Sequence, residues 1–152
     1  MPLKLRSPAF ASGEPMPDRY ARTHGNISPP LDWDGAPPGT KSFALIVEDP
    51  DAPRGTFRHW AAFDISPDRT RLDEGAGSQS GNLRQGANDF GGAGYDEPQP
   101  PEGHGPHHYH FRLAALDVEH LDVRPTLRAE AIWQAARPHV LEEAELVGIY
   151  ER

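Results

Sequence analysis

A chain of 152 residues with 23 acidic and 15 basic side chains has a formal charge of −8, and no run of Lys or Arg tracks a phosphate backbone, which excludes nucleic acid as a partner. Zero cysteines exclude a disulfide framework and thiolate chemistry. The length fits one domain, residues 1–152, burying roughly 70% of its unfolded surface; 17 prolines and 15 glycines beside 36% hydrophobic residues point to short elements, long loops and a mainly β fold.

The opening Met1-Pro2-Leu3-Lys4-Leu5-Arg6-Ser7 lacks the apolar centre of a signal peptide, and no stretch approaches the ~20 apolar residues of a membrane helix. A cytoplasmic location is expected. Residues 7–42 carry turn chemistry almost throughout, at Ser7-Pro8, Gly25-Asn26, Ser28-Pro29-Pro30 and Ala36-Pro37-Pro38-Gly39, so they should wrap as ordered loops and short edge strands, with Trp33 anchored in the core. Ser42 to Val47 is a near-continuous apolar run of strand length, which predicts burial on both faces.

That run ends in Glu48-Asp49-Pro50-Asp51-Ala52-Pro53. After the short loop Arg54 to Phe57, a strand from His59 follows, and a period of two sets His59 with Ala61, Phe63 and Ile65, facing the core. Residues 66–106 look irregular. Within Gly86 to Pro106, ten of 21 residues are Gly or Pro, and such a loop inside a small domain reads as a binding loop, held by Phe90 and Tyr95, rather than a linker. The next strand, His107 to Leu116, turns His107, Tyr109, Phe111, Leu113 and Ala115 to the buried face and His108, His110, Arg112, Ala114 and Leu116 to the other. Beyond Pro125 and a Thr126 N-cap, Leu127, Ala131, Ile132, Ala135 and Ala136 have helical spacing. Pro138 ends or kinks that helix, His139 to Glu143 can add a further turn, and Glu145 to Tyr150 reads as a closing strand.

If the strands pair as a meander, the Asp49/Asp51 pair, His59, and His107 with Tyr109 meet at one edge of the sheet. A carboxylate accepting from one ring nitrogen orients the other outward, so Asp49 could position His59. Imidazole and phenol donors there suit a small oxyanion. The bland readings stand beside these: Asp-Pro-Asp-Ala-Pro is also an ordinary Asx-turn composition, and a histidine at a strand start is more often a satisfied boundary residue. His108 and His110 point the same way, as paired metal ligands do, but they share their face with Arg112 and no ligand set is complete. No metal is expected. Asp49 and Asp51 have no assignable catalytic partner for acid/base work.

Taken together, Asn26-Ile27-Ser28-Pro29-Pro30-Leu31, Trp33, Asp49-Pro50-Asp51-Ala52-Pro53, His59-Trp60, and Gly94-Tyr95 through Pro100-Pro101-Glu102-Gly103 to His107-His108-Tyr109 resemble the phosphatidylethanolamine-binding protein (PEBP) family. The resemblance is greatest to its compact bacterial and archaeal branch, the Raf kinase inhibitor-like proteins, and runs from about Pro8 to Tyr150. It implies a β-sandwich-like fold with a large central sheet, a smaller sheet on one side and short C-terminal helices on the other. It also implies an anion pocket built here from Asp49, His59, His107 and Tyr109, with Asp51 and the rim prolines Pro100 and Pro101 beside them. One departure is clear: where the family motif Gly-x-His-Arg-Tyr has arginine, this chain has His108. The additional C-terminal helix of eukaryotic members is expected to be missing, with the chain ending at Arg152.

The expectation is a non-catalytic protein binding a phosphate or phosphomonoester head group, with no catalytic residue and no cofactor. The acidic surface opposes stable membrane association. The family resemblance allows an alternative, an inhibitor or scaffold acting on a kinase or protease; a third reading is a metal-dependent or Asp/His hydrolase using Asp49, His59 and His107. A protein partner and a homodimer are both allowed, with Trp60, Phe63 and residues 66–90 as candidate interface material.

Overall fold

In chain order the elements are β1 (Lys4–Arg6), β2 (Glu14–Pro15), a 3₁₀ turn (Asp18–Tyr20), β3 (Leu31–Asp34), β4 (Ser42–Asp49), β5 (Phe57–Ile65), β6 (Arg71–Leu72), β7 (Arg84–Gln85), β8 (His107–Leu116), α1 (Ala129–Ala136), a second 3₁₀ turn (Arg137–His139) and β9 (Val140–Tyr150). The computed structural model describes residues 2–20, 27–52, 55–77, 83–89, 92, 94–95, 103, 105–124 and 127–151.

The strands make a six-stranded sheet, ordered β2-β9-β8-β4-β5-β7, and a three-stranded sheet, ordered β1-β3-β6. The apolar run of β4 lies at the centre of the larger sheet, antiparallel to both β5 and β8. Its alternate residues serve two cores. Phe43, Leu45 and Val47 pack with Trp33, Leu31 and Leu5 of the smaller sheet and with Tyr109, Phe111 and Leu113 of β8. Ala44 and Ile46 face the other way, with Ala61, Phe63 and Ala114, against Ile132, Trp133 and Ala136 of α1. A strand covered on both sides cannot show the apolar-polar alternation of a surface strand, which is why β4 reads as a continuous apolar run. The architecture is the one the family motifs imply: a large sheet, a smaller sheet on one face and the helix on the other.

The strand order corrects the meander, because β8 pairs with β4 rather than with β5. The expected edge survives for a simple reason. Since β4 runs antiparallel to both neighbours, its C-terminal Asp49 comes to the same end of the sheet as the N-terminal residues of β5 and β8.

Strict alternation along β5 is also corrected. Val47 pairs with Trp60 and Glu48 with Arg58, so His59 is the extra residue of a β-bulge. A second irregularity lies between the Phe43–Ile65 and Leu45–Ala62 pairs, where Asp64 adopts φ 55°. The bulges reset the phase twice: Ala61 and Phe63 face α1, whereas Trp60, Ala62 and Ile65 face the smaller sheet. His59 lies beside Tyr109 on that same side, not with Ala61 and Phe63. Trp60 and Phe63 are each 0% exposed, so neither is available as interface material.

The helix starts later than its spacing suggests. Arg128 is the N-cap residue and makes no side-chain cap bond; the Ala129 N–H donates instead to the carbonyl of Ala87, at 2.8 Å. Tertiary contact thus satisfies one of the N–H groups that a Thr N-cap would otherwise serve. Thr126 lies outside the described residues. Pro138 falls in the second 3₁₀ turn, and β9 follows at once from Val140, replacing the extra helical turn expected over His139 to Glu143.

Two short strands, β6 and β7, lie within the stretch read as irregular. Tyr95 is 6% exposed, stacks edge-on against Trp60 and donates its N–H to Gly77 O at 2.8 Å. Tyr95 itself is thus held against the core; most of the glycine-rich stretch around it lies outside the described residues. Phe90 is outside the described residues.

Candidate functional site

At the end of the large sheet, Asp49 Oδ2 lies 2.7 Å from His107 Nδ1. Its other oxygen, Oδ1, accepts the Asp51 N–H at 2.8 Å. One carboxylate therefore makes the Asx turn of the Asp-Pro-Asp segment and also fixes a histidine ring across the strand pair. With Nδ1–H donating to Asp49, the ring has Nε2 on its opposite edge. His59 sits between Phe57 and Tyr109, at ring-centroid distances of 4.8 and 5.3 Å, and Tyr109 stacks against His107 at 6.4 Å. The bulge at His59 is what turns its imidazole toward Tyr109.

Asp49, His59, His107 and Tyr109 are 3%, 3%, 1% and 1% exposed. The Tyr109 hydroxyl is buried and has no hydrogen-bond partner among the described residues. Burial pushes its phenol well above the usual tyrosine range, and the nearby carboxylates of Asp49 and Asp51 push it further. Across the physiological range it is an O–H donor. A buried donor without an acceptor costs free energy, about 1–3 kcal/mol.

Asp51 diverges from this group. Its Oδ2 accepts the His108 N–H at 2.8 Å and lies 2.9 Å from His108 Nδ1, near the surface. Partial burial raises the Asp51 carboxyl, but the His108 backbone and side-chain bonds and the charges of His108 and His107 outweigh it, so the net displacement is downward. A lowered carboxyl contributes stability that is present above its unfolded value and fades as pH falls through the folded one, below about pH 4. His108→Ala leaves the backbone bond but removes the ring. The Asp51 carboxyl is then expected to titrate at higher pH by carbon-detected NMR; an unchanged midpoint would show that the ring contributes nothing.

The family model described as phosphatidylethanolamine-binding protein matches residues 6–151. The chain belongs to the PEBP family. It is 46% identical over 153 residues to a UPF0098 protein of Methanothermobacter thermautotrophicus, with 99% of each chain covered. Against the UPF0098 protein YbcL of Escherichia coli it is 40% identical over 133 residues, covering 84% of this chain and 73% of that one. The crystal structure of E. coli YbcL, a member of the PEBP family, matches with a TM-score of 0.95 at 34% identity, covering 100% of this chain and 99% of that one. The PEBP homologue CT736 of Chlamydia trachomatis matches with a TM-score of 0.90 at 38% identity, covering 99% and 98%. These are bacterial and archaeal proteins, the branch its motifs resemble.

Of the seven residues that the PEBP resemblance brings to the site, the fold gathers Asp49, His59, His107 and Tyr109. Asp51 lies next to them but turns its carboxylate to His108. Pro100 and Pro101 are outside the described residues. Asp49 orients His107, not His59: both β5 and β8 flank β4, but the bulge on β5 turns the His59 ring toward Phe57 and Tyr109. His108, at the position of the family arginine, holds the Asp-Pro-Asp segment to the start of β8. His110 does not join it in a ligand pair; it lies 3.3 Å from Glu145 Oε1.

Two contributors were missed in the sequence. Phe57, which stacks on His59, lies two residues before it on the same side of β5, and alternation could have found it. Gln85 accepts the Trp60 Nε1–H at 2.6 Å within the core; a lone glutamine in an irregular stretch gives no signal of this.

Proposed function

We propose that this PEBP-family chain binds a small oxyanion, a phosphate or phosphomonoester head group, without turning it over. The observation that carries the proposal is the buried Tyr109 hydroxyl, which has no acceptor among the described residues and lies beside two imidazoles. An oxyanion supplies the acceptor. Asp49 holds the His107 ring so that Nε2 accepts from a P–OH or, when protonated, donates to a phosphoryl oxygen. A phenol raised so far above its usual range is a poor general acid near neutral pH, which favours binding over catalysis. The family name supports the same chemistry, because free phosphoethanolamine is a phosphomonoester that carries such an oxyanion.

Calorimetry with inorganic phosphate and with phosphoethanolamine tests the proposal. Saturable binding is expected for the parent chain and is expected to be lost in His107→Ala. Tyr109→Phe separates function from folding. Removing a hydroxyl that lacks a partner should leave stability unchanged or raise it by about 1 kcal/mol, while phosphate affinity falls about tenfold. Absence of binding by the parent chain, or unchanged affinity in Tyr109→Phe, sinks the reading.

A further inference from the structure

Strand alternation gives the end of the large sheet a second polar face. Asp49, His59 and Tyr109 face the smaller sheet, and their chain neighbours Glu48, Arg58 and His110 line a cavity of about 150 Å³ on the opposite face, closed by α1. Arg112, Trp133 and the exposed Arg137 join that lining. Arg112, Trp133 and Arg137 also line an adjoining hollow of about 340 Å³, so the two spaces meet at a pair of guanidiniums and an indole.

The ion pairing there is uneven. Three arginines and two glutamates line the first cavity. Glu48, whose side chain is 14% exposed, is shared between Arg58 at 3.3 Å and Arg112 at 3.6 Å. Glu130 lies 3.7 Å from Arg58. Arg112 Nε is 3.2 Å from Glu145 Oε2, yet this buried atom has no hydrogen bond with correct geometry among the described residues. The Arg137 guanidinium has no ion pair among them. Glu143 joins the lining in the adjoining hollow, so arginines and glutamates number three each across the two spaces, and the Arg137 guanidinium and Arg112 Nε are the cationic groups there left without a hydrogen-bonded carboxylate among the described residues.

We propose that this cavity is a second ligand site, selective for a small organic carboxylate with a planar apolar body. The carboxylate bridges Arg112 and Arg137, whose planar forks match its two oxygens, and the body lies along Trp133 and the side chain of Ile46. Inorganic phosphate lacks that body and gains nothing from the indole. The site is separate from the Asp49–His107 pair because the sheet itself stands between them. An affinity of about 1 mM is in range for a ligand this small.

The probe is benzoate, titrated into uniformly ¹⁵N-labelled full-length chain, with the readout taken at the Trp133 indole N–H resonance and assigned by Trp133→Phe. Saturable movement of that resonance is expected in the parent and, with the same midpoint, in His107→Ala. Arg137 is exposed, so Arg137→Gln is expected to fold normally and to weaken benzoate about tenfold. Three results overturn the proposal: a Trp133 resonance unmoved by benzoate up to about 50 mM, an identical titration in Arg137→Gln, or loss of the response in His107→Ala. Equal affinity for inorganic phosphate, with the same dependence on Arg137, overturns the assignment to carboxylates. None of these outcomes depends on whether the Tyr109 site binds phosphate.

Discussion

Asp49→Ala is expected to lower the unfolding free energy by about 2 to 4 kcal/mol, because it strands the buried His107 Nδ1–H, at about 1–3 kcal/mol, and opens the Asx turn as well. Two contacts go at once. His107 Nδ1, in a ring 1% exposed, loses its acceptor 2.7 Å away, and the Asp51 N–H loses the oxygen that closes the turn. The His107 ring cannot turn to water without opening the end of the sheet, whereas Asp51 is exposed and its N–H can be rehydrated. Urea unfolding is the measurement, with the loss appearing as a lower midpoint at unchanged m-value. Asp49→Asn keeps an amide oxygen for one of the two donors and should lose less stability, yet it removes the charge opposite His107 and should still weaken phosphate. A loss below about 1 kcal/mol in Asp49→Ala would mean that the pair is dispensable to the fold. A double-mutant cycle with His107→Ala then measures the coupling directly.

Gly77→Ala is the second large effect, about 3 kcal/mol. A Cβ built on Gly77 meets Tyr95 Cβ at 2.5 Å, Trp60 Cε2 at 3.0 Å and Ser28 Cβ at 3.1 Å. None of these atoms is the far end of a flexible side chain, so the backbone must move. Gly77 also accepts the Tyr95 N–H and donates its own N–H to Ser28 Oγ at 2.8 Å. The displacement therefore reaches Trp60, next to His59 in the chain, and phosphate affinity should fall along with stability. Gly39→Ala is the control. Its φ of 90° strains any side chain, but no atom lies within 4 Å of the added Cβ, so only a conformational cost of about 1–2 kcal/mol is expected. Equal losses in the two variants would show that steric crowding at Gly77 is not the cause.

Ser28 lies in the Asn-Ile-Ser-Pro-Pro motif, and its hydroxyl and carbonyl hold Gly77 and Gly75 of the turn after β6. That role is structural, and it connects the first motif of the chain to the wall behind the site.

The β4 and β8 strands were legible because burial on both faces, and alternation over ten residues, leave a plain pattern in the residues themselves. So was the family, from five motifs in one order. The inward set of β8 came out correctly because that strand has no irregularity over its first nine residues, His107 to Ala115. On β5 the same rule failed, since a bulge inserts a residue whose presence depends on the partner strand and not on local sequence. The start of α1 was misplaced for a related reason: its first N–H is satisfied by Ala87, a residue distant in the chain.

What the sequence determined by itself was the chemistry available at the end of the sheet: one carboxylate turn, two imidazoles and a phenol, with the strands that bring them near one another. Tertiary structure decided the pairing. Asp49 orients His107 across the β4–β8 pair, Asp51 turns to His108, and the bulge on β5 carries His59 to Tyr109 instead of to Asp49. It also decided that the residues alternating with these line a separate arginine-rich cavity, because a sheet covered on both sides gives each strand two environments, and only the packing of α1 encloses the second.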